Sequence, residues 1–271
     1  MKLVSWFGDN PKIGIPALHG TTLLFDGSNG TPIGLFDVEY ITGMRTGAAG
    51  AIGAKYLARK DVHSQLMVGA GHQALFQISA ALSAIDSLRT VRVHEPMNPQ
   101  AAELFCANLK ERLVQYVGSE MAHQVEVITA DKLQRAVESS DVIITATPSR
   151  SQMIKKEWVK PGTHLSCIGA DMKGKQEVDE NLFADSRVFV DGINQELRVG
   201  ECEIPFNKDI VKAEKVVAEI GRVICGKTQG RLTDADVTIF DSTGITLQDL
   251  MVYKMVLDLA KQKQTGTLAE L

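Results

Sequence analysis

No C-x-x-C pair occurs in this sequence: Cys106, Cys167, Cys202 and Cys225 lie far apart. That spacing excludes a zinc knuckle and a dithiol redox motif, and the four thiols read as buried small apolar groups. His19, His63, His72, His94, His123 and His164 show neither H-x-x-x-H nor H-E-x-x-H spacing, so no metal site is expected. There is no basic surplus either, with 33 Asp and Glu against 29 Lys and Arg and a formal net charge of -4. Sequence-independent nucleic-acid binding is thereby excluded. No apolar run reaches the roughly 20 residues a membrane span requires. Residues 1–6 contain no secretory apolar region, so no membrane partner is expected and the cytoplasm is the expected compartment. What is present is an ordinary globular composition over 271 residues, 44% hydrophobic and 23% charged, long enough for one large domain or two modest ones.

Leu66-Met67-Val68-Gly69-Ala70-Gly71-His72-Gln73-Ala74 is an apolar run that ends in a G-x-G-x-x-A turn and opens a helix-like segment. This is the pattern of a dinucleotide loop. Gly69 makes the tight turn, Gly71 lets a pyrophosphate approach the backbone, and Ala74 lets the helix pack close to the sheet. A phosphate would sit on the helix N-terminus. Ala70, His72 and Gln73 fill the variable positions, and His72 reads as a loop filler rather than a catalytic group. A second strand, Thr90-Val91-Arg92-Val93-His94, ends at Glu95, near the roughly 20-residue spacing at which a carboxylate meets the adenosine ribose. Because a carboxylate there repels a 2′-phosphate, Glu95 points to NAD over NADP.

Beyond the loop, apolar runs alternate with helical stretches: strand 90–95, helix 98–117, strand 124–129, helix 131–139, then strands 141–147, 163–169 and 186–192. Such alternation predicts a parallel sheet with crossover helices. Near-continuous apolar runs such as Val142-Ile143-Ile144 suit strands covered on both faces. Thr147 and Ser149 follow the strand at 141–147, where its carboxyl end faces a cofactor crevice, and are candidate nucleotide-loop residues.

The first 60 residues follow another plan. Residues 21–26 and 31–37 around Asn29-Gly30 predict an antiparallel hairpin. A helix over about 41–58 follows, with Thr42 as N-cap and Arg59 and Lys60 at its C-terminal dipole. Its many glycines and alanines predict close approach of another backbone. Toward the C-terminus, periodicity predicts a helix over 211–225, a strand over 237–241 and a helix over about 246–262. The expected fold is α/β: a Rossmann-type parallel-sheet domain over 61–204, and a smaller discontinuous α+β domain from 1–60 and 205–271. In this scheme the 237–241 strand returns to the N-terminal hairpin.

Several of these segments together resemble one family. Lys2-Leu3-Val4-Ser5, Leu24-Phe25-Asp26, Met44-Arg45-Thr46-Gly47-Ala48-Ala49, the Val68–Ala74 loop, Gly169-Ala170-Asp171-Met172-Lys173-Gly174-Lys175-Gln176-Glu177 and Phe240-Asp241-Ser242-Thr243-Gly244 are similar, in order and from end to end, to the ornithine cyclodeaminase and μ-crystallin family. The resemblance implies an active site at the domain interface, with Lys2, Arg45 and Asp171 beside the nicotinamide. Arg45 suits a bidentate clamp on an α-carboxylate. Lys2 would hold the same carboxylate or polarise an imine; without the resemblance, a lysine at position two is merely a terminal charge. Asp171, past an apolar strand and a Gly-Ala turn, suits proton transfer to and from a substrate amine. Lys175 and Glu177 read as scaffold for its loop.

The activity implied is NAD-dependent conversion of ornithine to proline with loss of ammonia, through an imine. A net NAD(P)-linked oxidoreductase on the same frame, such as an alanine dehydrogenase or cyclic-imine reductase, is the alternative, and a non-catalytic small-molecule binder is the third reading. The substrate partner in the enzymatic readings is a small amino acid or its imine. The resemblance also implies a further segment ahead of Lys2, with strands of the substrate and dimerisation domain and another arginine. A two-stranded hairpin lacks independent stability. The chain as written is therefore expected to be poorly soluble or weakly active, and to form a homodimer once such a segment is present.

Overall fold

The computed structural model describes residues 1–269. They divide into two compact units, one of Met1–Arg45 with the segment from Ile245 onward, the other of Thr46–Gly244.

In the smaller unit, β1 (Lys2–Trp6), β2 (Leu18–Phe25) and β3 (Pro32–Asp37) form an antiparallel sheet in that order. The hairpin turn has Gly30 at a φ of 77°, the positive angle that Asn-Gly is suited to supply. The third strand is β1, paired from Lys2 opposite Thr22 to Trp6 opposite Leu18, and not the 237–241 segment. Helix α1 (Glu39–Leu57) follows. The Asp37 carboxylate accepts from the Glu39 amide at 2.9 Å, so this helix begins before Thr42, and Thr42 is not its N-cap. Leu24, Val38, Tyr253 and Leu257 make the small core, the last two supplied by the helix Thr246–Lys263.

The larger unit is built on parallel strands: β4 (Ser64–Val68), β5 (Thr90–His94), β6 (Glu126–Thr129), β7 (Val142–Thr145), β9 (His164–Cys167), β11 (Arg187–Val190), β12 (Val216–Glu219) and β13 (Thr238–Asp241). Their order across the sheet is β12-β11-β13-β9-β7-β4-β5-β6. A separate parallel pair, β8 (Arg150–Ile154) and β10 (Gln176–Val178), was not foreseen. Period-two alternation sorts the side chains between two cores. Met67, Val142 and Ile144 face one core with Ile78, Leu82, Leu109 and Leu113, whereas Leu66, Val68 and Ile143 face the other with Leu165, Val188 and Ile239. At about 1.5–3 kcal/mol for each fully buried aliphatic side chain, this two-sided burial is the main stabilising term.

Three expectations are corrected here. Residues 211–225 do not form one helix; they contain β12 and a short helix, Ile220–Ile224, because edge pairing with β11 overrides the local helical pattern. β13 lies between β11 and β9, and all four of its residues are buried. The unit boundaries therefore fall at Arg45/Thr46 and Gly244/Ile245, and not near 60 and 205. The smaller unit remains discontinuous.

Helices α2 (His72–Ala84) and α3 (Pro99–Gln124) cover one face. The α3 start is capped by the Asn98 side chain with Pro99 next in sequence, and its course is interrupted by Gly118 at a φ of 78°, beyond which it runs past the expected end at 117. Close approach of another backbone to α1 is found at Gly47: a Cβ there would lie 2.5 Å from the Phe76 carbonyl oxygen of α2. Among the described residues, no helix is long and apolar enough to cross a membrane.

Candidate active site

The strand order reverses between β4 and β7, the point at which an open parallel sheet presents its ligand crevice. The glycine turn stands at the carboxyl end of β4. Gly69 has a φ of 104°, and a Cβ on it would lie 2.9 Å from the Ala146 carbonyl oxygen beyond β7. The fold itself therefore demands glycine there. Gly71 differs, because a Cβ on it would meet nothing within 4 Å, and the backbone is left open at the N-terminus of the 13-residue helix α2. The Ala70 amide donates to Glu95 Oε2 at 2.9 Å, which draws the carboxylate at the end of β5 against the turn. Ala74, in the first turn of α2, is buried. The His72 ring packs near Phe76, with centroids 5.1 Å apart, and the Gln73 Oε1 oxygen is buried without a hydrogen-bond partner among the described residues. An open cradle, a free helix N-terminus and a carboxylate at the turn fit an adenine dinucleotide.

Beyond β7, Thr147 is buried, and both its amide and its hydroxyl donate to Glu177 Oε1, each at 2.7 Å. Its hydroxyl thus serves the protein scaffold. The Ser149 hydroxyl donates to the Ser151 carbonyl. Glu177 Oε2 accepts from the Gly169 amide at 3.0 Å, so one carboxylate ties the ends of β7 and β9 together. Asp171, two residues beyond Gly169, is half exposed, and its Oδ1 accepts from Lys175 Nζ at 2.5 Å. The same ammonium donates to the Gly169 carbonyl at 3.2 Å. Lys175 and Glu177 therefore hold the Asp171 loop, as their positions in the sequence suggest.

Behind Glu177 lie further buried carboxylates that sequence reading missed. Glu201 accepts from the Glu177 and Val178 amides at 2.9 and 2.7 Å, and Asp241 from the Glu201 and Cys202 amides at 3.1 and 2.8 Å. Glu196 Oε1 accepts from the amide and hydroxyl of Thr243, and Asp191 from Ser242 and Gly244. A Cβ on Gly200 would touch both Glu196 Oε2 and Asp241 Oδ2, so glycine there lets the two carboxylates converge. Burial, reinforced by the Asp241 charge, pushes Glu196 up to about 9. Burial likewise pushes Asp241 up to about 7. The available signal was the acid in Phe240-Asp241-Ser242, read only as part of the family resemblance. The cysteine reading holds for Cys167 and Cys202, which are buried, and fails for Cys225, which is exposed beyond the end of the short helix at 220–224.

The smaller unit carries a second constellation. Lys2 Nζ donates to Thr42 Oγ1 at 2.9 Å and to Asp249 Oδ1 at 3.0 Å. Arg45 Nε stands 3.3 Å from the same oxygen, and Arg45 Nη1 lies 3.5 Å from Gln248 Oε1. All three charged side chains are mostly buried, with 20, 13 and 16% of Lys2, Arg45 and Asp249 exposed. Lys2 is therefore no loose terminal charge. Burial lowers its pKa, Asp249 opposes that, and Arg45 adds to it. Asp249 is indistinguishable in sequence from any acid in a helix's first turn, and was missed.

Comparison with known proteins follows this geometry. Residues 1–264 match the model of the ornithine cyclodeaminase/mu-crystallin family. An alanine dehydrogenase of Archaeoglobus fulgidus is 36% identical over 98% of this chain and 78% of its own length. The iminosuccinate reductase of Paracoccus denitrificans is 35% identical over 97% of this chain and 77% of its own. The solved structure of Thermococcus litoralis Δ1-pyrroline-2-carboxylate reductase, in complex with NADH and L-proline, superposes with a TM-score of 0.90 at 29% identity, covering 99% of this chain and 80% of that one.

Burial of Glu196, reinforced by the charge of Asp241, sets a pH dependence. The folded protein retains a proton on Glu196 that the unfolded chain releases near the ordinary value of 4.5. This group's contribution to stability is thus fully present below that value and is lost as pH rises toward about 9. Glu196→Gln, which keeps an acceptor for Thr243 and supplies a permanent donor, is expected to raise the melting temperature above the parent's at pH 8, with the difference closing by about pH 5. Calorimetry across that range checks it; a pH-independent difference would show that no proton is held there.

Proposed function

This chain belongs to the ornithine cyclodeaminase/mu-crystallin family, and from that premise we propose that it is an NAD-dependent enzyme interconverting an α-amino acid and its α-imino acid, with net oxidation or reduction as the first reading. The observation that carries this reading is the paired Lys2 and Arg45 cations, already sharing one carboxylate oxygen. Two cations so arranged suit the α-carboxylate of an amino acid. Similarity over nearly all of this chain to an alanine dehydrogenase and to two imine reductases supports the oxidoreductase about as well as the family match supports cyclodeamination. Ornithine cyclodeamination is the second reading, supported by the family match over residues 1–264.

In this proposal Gly69, Ala70, Gly71, His72, Gln73, Ala74 and Glu95 hold the dinucleotide, with Thr147 and Ser149 shaping the wall beyond β7. When bound, NAD supplies the hydride acceptor or donor. Arg45 presents its guanidinium fork to the substrate carboxylate, and Lys2 adds a point charge to the same group. Asp171 takes a proton from the substrate ammonium as the imine forms and returns it in the reverse direction. Lys175 keeps the Asp171 carboxylate in one orientation for that transfer.

A substrate panel tests the reading. L-alanine with NAD, or a cyclic imino acid with NADH, is expected to give stoichiometric cofactor turnover. Proline formed from L-ornithine with catalytic NAD and no net NADH would instead establish the cyclodeaminase. NAD binding with neither activity would leave a non-catalytic binder. For the cofactor, NAD(H) is expected to bind at least ten-fold tighter than NADP(H), about 1.4 kcal/mol, and Glu95→Ala is expected to erase that preference. Equal affinities in the parent would remove Glu95 from the role. For the proton, Asp171→Asn is expected to keep NAD affinity while losing most turnover. Turnover within about three-fold of the parent would demote Asp171 to a turn residue.

A further inference from the structure

Three elements distant in sequence meet at a single carboxylate oxygen in the smaller unit. Lys2 comes from β1, Arg45 from α1, and Asp249 from the first turn of the helix Thr246–Lys263. Two cations this close repel one another, and partial burial penalises both, so something must offset them. Asp249 does so from a helix N-terminus, where an anion is itself favoured. Both contacts go to Oδ1. Arg45 makes this ion contact through Nε and, among the described residues, its Nη1 has only the 3.5 Å contact to Gln248, so the terminal fork stays available for another carboxylate.

Resting on the assignment of Lys2 and Arg45 above, we propose that Asp249 is a positioning residue: it holds the ammonium and the guanidinium side by side, both charged, so that together they take one substrate carboxylate. The other ionisable groups around Lys2 do not replace it. The Met1 ammonium donates to the Leu23 carbonyl. The Tyr253 phenol, one turn along the same helix, has its pKa raised by burial, then by the charges of Asp249 and Asp37, and stays neutral. Thr42 contributes a hydroxyl and no charge. Without Asp249, burial and Arg45 act on Lys2 unopposed, the ammonium gives up its proton at lower pH, and the carboxylate site loses one of its two charges.

Asp249→Asn in the full chain tests this with two readouts. With lysine labelled at Cε and the Lys2 signal identified by its disappearance in Lys2→Arg, NMR titration is expected to show the Lys2 pKa falling by about one unit or more. The alkaline limb of kcat/KM is expected to move down by the same amount, mainly through KM. Asp249→Glu is expected to restore both toward the parent values, and Lys2→Arg added to Asp249→Asn is expected to abolish the limb, since arginine stays protonated. Should Asp249→Asn lose its fold by circular dichroism, Asp249→Ser is read in the same way. An unmoved Lys2 titration in a folded variant would overturn the proposal. A moved titration with normal turnover in Lys2→Ala and Arg45→Ala would instead overturn the assignment of those cations to substrate, leaving the ion pair intact.

Discussion

Amides just beyond the carboxyl ends of parallel strands have no neighbour in the ladder, and when buried they must find an acceptor elsewhere. In this protein a carboxylate supplies it beyond β7 and β9, and further carboxylates take amides of β10 and of the loop at 201–202. Glu177 takes the amides of Thr147 and Gly169, Glu201 takes those of Glu177 and Val178, and Asp241 takes those of Glu201 and Cys202. The loop beside the glycine turn and the loop bearing Asp171 both have their geometry from this series. Charge buried for such a purpose is costly unless fully hydrogen-bonded. Where hydrogen bonds run short, at Glu196, whose Oε2 has no partner among the described residues, burial favours a retained proton instead.

The two units solve opposite electrostatic problems. The large unit collects anions where backbone amides converge, and amides rather than cations satisfy them. The small unit collects cations and gives them one anion, which leaves a surplus of positive charge in a mostly buried place. Amides serve loop geometry in the first case, and in the second, on the function proposed above, the cation fork serves recognition of an anionic group.

Much of this organisation could be read from the residues. Near-continuous apolar runs at β4, β7 and β9 and the G-x-G-x-x-A turn are local signals that burial on both sheet faces reinforces, and they lead directly to the parallel sheet. The Asn29-Gly30 hairpin is equally local. β12 and β13 are not, because their place is decided by pairing with β11 and β9, and no short-range pattern tells a strand which sheet to join. The division of the chain was therefore drawn too far from the true ends of the sheet. At the site, Arg45 and Asp171 had chemical reasons for notice. Lys2 gained its proposed role only through resemblance, and Asp249 had no signal at all, since its meaning lies in two partners at the other end of the chain.

The two glycines of the nucleotide turn answer to different masters. At Gly69 any side chain would collide with the Ala146 carbonyl, so the fold enforces that residue whether or not a ligand is ever bound. At Gly71 the protein itself offers no obstacle, and its φ of -80° is open to any L-residue. On the proposed assignment of Gly71 to the nucleotide loop, it is the bound molecule that excludes a side chain there. A descendant that abandoned the dinucleotide would keep the first glycine to remain folded and could drift freely at the second, which makes the second position the more sensitive record of whether the cofactor is still in use.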